Sequence, residues 1–284
     1  NEDIEHPAVR GVLQYMKIRD GLEIHHDGDL PAKTGIGSSS SFTVSLLHAL
    51  YALKRVMPTK MQLAKDAIYV EQEILKENVG CQDQVLAAHG GLCKVDFFQN
   101  DDIRVMPIIL PKERLADLQS HLMLFFTGFS RRASEVAKEQ VEQTKFRKVE
   151  LKAMHEMVDE GVKILAQPSD FLDFGRVLHE GWGLKRSLTS RISSMEIDSI
   201  YEKARKAGAL GGKLLGAGGG GFILLFAKPE NHPAIKKSLR SLLSVPFKFE
   251  ARASQIMVYE PGDLIKRDYP TAFRVQELED ITLS

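Results

Sequence analysis

The sequence predicts an α+β architecture in two halves, and three observations point to it. Apolar residues recur at helical spacing in some stretches and as short strand-length runs in others. These stretches follow one another without an internal repeat or a low-complexity tail. Residues 111–120 form a seam between a first half that mixes helices with a strand pair and a second half that opens on a strand, turns helical and returns to strands. The expected domains are residues 1–115 and 116–284.

The elements follow in order. Val9, Val12, Leu13 and Met16 mark a short helix, and Leu22 and Ile24 a strand-like stretch. Beyond a Gly/Ser-rich turn, Phe42, Leu46, Leu47, Leu50 and Leu53 lie on one face of a helix. Pro58 and the capping-box pattern Thr59-x-x-Gln62 open another, with Leu63, Ala67, Ile68, Val70, Ile74 and Leu75 along it and an end expected near Gly80. Residues 83–89 read as a short helix. Residues 92–98 and 103–110 read as strands joined at Asn100-Asp101-Asp102. In the second half a strand is expected at 122–127, then helices at 135–143, 152–165, 171–188 and 197–207, the last stopped by Gly208. Strands at 222–227, 247–253 and 255–260, with a helix at 233–243, complete the pattern.

Composition narrows the function. With 284 residues, 43% hydrophobic and 27% charged, the chain suits one large or two ordinary globular domains. Lys plus Arg and Asp plus Glu both number 38, so no nucleic-acid or acidic-membrane surface is expected and any anion must be met locally. Two cysteines, Cys81 and Cys93, cannot frame a disulfide scaffold or a four-cysteine metal site, which suggests a reduced, cytoplasmic protein. The longest apolar runs, 122–126 and 222–227, fall far short of the roughly 20 residues of a membrane helix. The chain begins at Asn1 rather than Met, so the natural N-terminus is expected upstream.

The strongest chemical signal is Gly35-Ile36-Gly37-Ser38-Ser39-Ser40, which runs straight into a helix. Glycines permit close backbone approach, the first N–H groups of a helix lack partners, and the helix dipole favours an anion there. This describes a phosphate cradle; a plain turn and helix cap is the alternative reading. A Walker A loop is excluded, because Gly212-Lys213 is followed by Leu214. A second cluster, Gly216-Ala217-Gly218-Gly219-Gly220-Gly221, contains G-x-G-x-x-G but leads into a strand rather than a helix, which argues against a dinucleotide fold. Its entropy cost implies close approach to another backbone or to a ligand.

These features resemble the GHMP kinases, the family of galactokinase, homoserine kinase, mevalonate kinase and phosphomevalonate kinase. Pro31 to Ser41 is similar to the family's phosphate-binding motif, and Gly212 to Phe222 to its later glycine-rich motif, with Gln82-Asp83-Gln84 between them. Ser38-Ser39-Ser40-Ser41-Phe42-Thr43-Val44, Val70-Glu71-Gln72-Glu73, Gly80-Cys81-Gln82-Asp83-Gln84 and Ser254-Gln255-Ile256 are most similar to bacterial D-glycero-D-manno-heptose phosphate kinases. The resemblance implies an N-terminal domain like domain 2 of ribosomal protein S5, a ferredoxin-like C-terminal domain and an active site between them. A further family motif near the N-terminus has no match before Pro31.

It also implies ATP and Mg²⁺ as cofactors and a sugar or sugar-phosphate acceptor, with another acceptor (fucose, galactose, mevalonate) or a non-catalytic nucleotide- or sugar-binding protein as alternatives. Homo-oligomerisation is compatible with it. By resemblance, Gly35, Ile36, Gly37, Ser38, Ser39, Ser40, Gly218 and Gly219 would hold phosphates, and Ser39 and Glu71 the metal. Asp83 would be the catalytic carboxylate at the acceptor hydroxyl, with a helix cap as its structural alternative. Gly128, Arg131 and Gly219 would join Asp83 around the acceptor, and Lys33 could add charge at the cradle's edge. Glu71 has no basic residue one helical turn away, which weakens its reading as a solvated helix carboxylate. His25-His26 reads as exposed strand rather than metal ligand, and Cys81 as a packed residue.

Overall fold

The computed structural model describes residues 3–19, 21–30, 34–128 and 133–260. Among these, the first half packs four helices against one another and carries one hairpin. Helix α1 (Pro7–Tyr15) starts where His6 accepts the Val9 N–H and Pro7 takes the first helical position. Helix α2 (Ser38–Leu53) buries Val44, Leu46, Leu47 and Leu50. Helix α3 (Lys60–Tyr69) opens on Thr59, whose hydroxyl accepts the Gln62 N–H at 3.1 Å. The reciprocal arm of the capping box is missing, because Gln62 turns its amide to Asp66 instead. Helix α4 (Gln82–His89) closes the group, and Val12, Leu47, Ala67, Val70 and Val85 are fully buried among them.

The second long helix ends earlier than Gly80 and changes character before it does. Residues Val70–Ile74 form a π-helical turn, with the Leu75 N–H reaching the Val70 carbonyl. Strands β1 (Cys93–Phe97) and β2 (Ile103–Pro107) pair antiparallel, Val95 opposite Val105, around Asp101 in the left-handed region. The strand expected at Leu22 and Ile24 does not form: no strand lies alongside it among the described residues, and both side chains remain exposed.

The expected seam is itself ordered as helix α5 (Lys112–Ser120). Its Arg114 guanidinium donates to the carbonyls of Ile164, Leu165 and Ser169 and lies 3.6 Å above the Phe171 ring. It thereby satisfies carbonyls that a helix end leaves unpaired. The chain continues through β3 (Leu122–Phe126), α6 (Ala133–Thr144), α7 (Lys148–Ala166), α8 (Leu172–Leu188), α9 (Met195–Lys206), β4 (Ala209–Leu214), β5 (Phe222–Ala227), α10 (His232–Ser238) and β6 (Leu243–Val245). The four strands form one antiparallel sheet in the order β4-β5-β3-β6. A strand–helix–strand unit split by a central antiparallel strand is the ferredoxin-like arrangement.

Strand β4 escaped the sequence reading because glycine is poor in strands. Here it is required. A Cβ on Gly211 would sit 2.0 Å from the Gly175 carbonyl oxygen of α8, and one on Gly175 would sit 2.6 Å from Leu210. Helix α8 lies directly on β4, and side chains at the crossing would force them apart.

Two expected strands, 247–253 and 255–260, are absent. The segment is extended but makes isolated bonds rather than a ladder: Gln119 brackets it at Phe247 and Phe249, the Gly91 N–H reaches Glu250, and the Ser254 N–H reaches Ala87. It therefore returns to the first half and lies against Gly90, whose missing side chain leaves room for Ala253. The expected helix at 233–243 is shorter, and Leu243 begins β6 instead.

Candidate active site

The N-terminus of α2 provides an anion site on the first half. Gly37, at φ 74°, occupies the N-cap position with no side chain bonding back to the helix, so the first N–H groups of α2 are uncapped by protein side chains. Gly35 has φ 79°, and the two left-handed glycines turn the chain into the helix. The helix-cap reading of the serines is not what forms, because the serines are inside the helix.

The second glycine cluster abuts this loop. A Cβ on Gly216 would lie 2.8 Å from the Gly35 carbonyl oxygen, and one on Gly221 would lie 2.1 Å from that of Thr34. The expected close approach is thus an approach of one loop's backbone to the other's. The second loop is held from several sides. Gln140 donates to the Ala217 carbonyl, the Gly219 N–H to Ile192, and both the N–H and hydroxyl of Thr127 to Gly221. Thr127 also sets Gly128 beside this loop at the end of β3.

Asp83 sits against the first loop. It lies in the first turn of α4, where Cys81 is the cap position, so it does not cap its own helix. Its carboxyl carbon lies 3.0 Å from where a Gly37 Cβ would be, directly against the uncapped end of α2. Burial raises its pKa above the ordinary carboxylate value, and the Lys185 ammonium pulls it partly back.

Glu71 occupies the π-helical turn and is 1% exposed, which excludes a solvated surface carboxylate. Its Oε2 accepts from the Ser40 hydroxyl at 2.9 Å and from Gln84, while Oε1 is buried with no partner among the described residues. Sequence reading placed Ser39 with Glu71; the structure brings Ser40 there instead. Ser39 is exposed on the first turn of α2, and its carbonyl accepts from Thr43. No cluster of three His, Cys, Asp or Glu side chains suited to a metal is present among the described residues. The unpartnered Glu71 oxygen beside the cradle nonetheless fits a hard cation that takes its other ligands from phosphates and water.

Two lysines went unassigned in the sequence. Lys185, in the last turn of α8, donates to the Gly216 carbonyl at 2.6 Å, and Lys213 follows Gly212 on β4. Burial and the neighbouring Lys213 push Lys185 down to about 8, against the opposing pull of Asp83. Burial also lowers Lys213. Lys33 and Arg131 lie outside the described residues. Among the described residues no helix is long and apolar enough to cross a membrane.

A split antiparallel sheet, an uncapped helix end and a buried carboxylate beside it define a phosphate-handling two-domain fold. Residues 6–91 match the family model of the GHMP kinases N terminal domain, and residues 155–244 that of the GHMP kinases C terminal domain. The chain belongs to the GHMP kinase family. It is 28% identical to the D-glycero-alpha-D-manno-heptose 7-phosphate kinase of Campylobacter jejuni, over 81% of this chain and 68% of that protein. To the mevalonate kinase of Pyrococcus abyssi it is 26% identical, over 78% of this chain and 64% of the relative. It thus spans about two thirds of the length of these two curated relatives. The crystal structure of a D-glycero-D-manno-heptose 1-phosphate kinase from Bacteroides thetaiotaomicron superposes with a TM-score of 0.60 at 25% identity, covering 89% of this chain and 74% of that one.

Proposed function

We propose that this protein transfers the γ-phosphoryl group of ATP to a hydroxyl of a sugar or sugar phosphate, with a D-glycero-D-manno-heptose phosphate as the acceptor. The contact of Asp83 with Gly37 carries the reading, because it puts a half-buried carboxylate at the mouth of a phosphate cradle. The acceptor relatives named above support the choice of sugar. The two halves, residues 1–115 and 116–284, contribute one loop each.

Phosphoryl transfer asks the protein for position and charge neutralisation. The backbone of Gly35, Ile36, Gly37, Ser38, Ser39 and Ser40, closed by Gly218 and Gly219, orients the β- and γ-phosphates. The acceptor oxygen forms a bond to the γ-phosphorus as the bond to the β–γ bridging oxygen breaks, and ADP leaves with that electron pair. Asp83 takes the hydroxyl proton. Its raised pKa makes it a stronger base than an exposed aspartate. Glu71, held by Ser40 and Gln84, would hold Mg²⁺ through its unpartnered oxygen, and the ion would supply neutralisation of phosphate charge when bound. Gly128 and Gly219 would line the acceptor, and Arg131, outside the described residues, is assigned to it by resemblance alone.

The test is ADP release from MgATP with heptose 7-phosphate, heptose 1-phosphate, fucose, galactose and mevalonate. We expect turnover with a heptose phosphate, and Asp83→Asn should lower kcat by about 10³-fold while ATP affinity is retained. Turnover only with mevalonate would overturn the acceptor. ATP binding without any acceptor-dependent ADP would favour a binding protein.

A further inference from the structure

Lys185 and Lys213 are the charged groups at the site for which the preceding chemistry has no use. Both are half-buried, and neither lies within 4 Å of a carboxylate among the described residues. Asp83 is the carboxylate that acts on Lys185 electrostatically, and Lys213 opposes it. The arrangement therefore holds two ammonium groups against one carboxylate in a chain with no net charge. Partly desolvated like charges are costly unless an anion completes the set. The position of that anion is narrowed by the Lys185 ammonium, which is tied to the Gly216 carbonyl. Gly216 packs on Gly35 of the cradle, and the Gly37 end of the cradle touches Asp83.

We infer that Lys185 is a catalytic residue that binds the transferring γ-phosphoryl group between the cradle and Asp83, with Lys213 as the second positive charge behind it. This rests on the kinase reading. As the acceptor oxygen bonds to phosphorus and the bridging oxygen leaves, charge on the phosphoryl oxygens and the departing ADP is offset by an ammonium preset by its bond to Gly216. The proton on Lys185 stays in place throughout, and the hydroxyl proton still goes to Asp83. A lysine suits this point because its ammonium is a compact donor with three hydrogens, of which one is committed to Gly216.

The experiment is acetylation of the full chain by acetic anhydride at pH 8, with Lys185 modification followed by mass spectrometry alone and with MgADP, MgATP or inorganic phosphate. Calorimetric titration of MgATP runs in parallel. A γ-phosphate beside Lys185 should raise its pKa by a unit or more, so MgATP slows acetylation at pH 8 at least about fivefold relative to MgADP. Equal protection by the two nucleotides overturns the assignment. Protection by inorganic phosphate alone, without MgATP protection, overturns it in favour of an acceptor-phosphate subsite. MgATP binding with no protection removes the lysine assignment alone, whereas failure of MgATP to bind removes the kinase reading and the lysine with it. For turnover, Lys185→Met should lower kcat about 10²-fold and also raise the KM for MgATP about tenfold, the ground-state share of the same contact, and Lys185→Arg should recover part of both losses. A raised KM with unchanged kcat overturns the role.

Discussion

The two glycine loops use the same residue for different physical reasons. In the first, Gly35 and Gly37 supply left-handed backbone that turns the chain into α2 and leaves the helix end open. In the second, Gly216 and Gly221 combine positive φ with a lack of space, since their absent side chains would occupy the first loop's backbone. The first loop's glycines act locally and can be read from a few residues. The second loop's act across the molecule. A glycine-rich stretch is thus ambiguous until its neighbour is known, which is why the G-x-G-x-x-G match at Gly216, Gly218 and Gly221 misleads.

The place where the first loop meets Asp83 gives the largest expected effect. Besides the 10³-fold loss of turnover, Asp83→Asn should raise Tm. The sign follows from its raised folded pKa: the native state disfavours the carboxylate, so above the unfolded pKa the charge costs stability and an uncharged amide removes that cost. A lowered Tm in thermal unfolding would mean that Asp83 is held by interactions the structure does not contain.

The steric difference between the loops comes next. Gly221→Ala should cost about 3 kcal/mol or more in urea unfolding, because strain at φ 96° adds to a collision with backbone. Gly37→Ala should cost about 1–2 kcal/mol, the left-handed penalty, since the atoms it meets belong to the Asp83 side chain. It should nevertheless lower kcat more than its stability cost suggests, by displacing Asp83. Equal stability losses would erase the distinction between local and long-range glycines.

Ser40→Ala should cost about 1 kcal/mol by removing one donor from the buried Glu71 carboxylate, and should weaken Mg²⁺ dependence measured as the half-saturating concentration. An unchanged Mg²⁺ requirement would separate Glu71 from the metal.

The mildest effect is on pH dependence. The kcat/KM profile should fall on the acid side as Asp83 protonates, at a pH above that of an exposed aspartate, and on the alkaline side near 8 as Lys185 loses its proton. In Lys185→Arg the alkaline limb should retreat, because guanidinium does not titrate there.

The sequence shows what local chemistry determines. The cradle follows from glycine, serine and the onset of helical periodicity, and Asp83 and Glu71 from motif resemblance. Long amphipathic helices such as α8 were legible from their spacing. Lys185 was not, because a lysine in the last turn of a helix is also what the helix dipole favours at any surface. Only the apposition of α8 and the glycine loop sets it apart. Strand β4 was hidden because its glycines answer to α8, and the π-helical turn because one inserted residue leaves the apolar pattern nearly intact. The strands expected after residue 246 show the reverse failure: alternation suited to a strand, with no ladder to join.

The path of residues 247–254 bears on how the molecule can be divided. The chain passes into the second half after Pro111, and beyond the ferredoxin-like sheet it comes back to touch Ala87, Gly90 and Gly91 of the first. Among the described residues, two stretches of chain cross between the halves, and a single proteolytic nick in either would leave them joined by the other. A fragment cut after residue 115 would lack the strip that covers Gly90, whereas a gene fusion that rejoins residues 111 and 247 would excise the sheet and keep that cover.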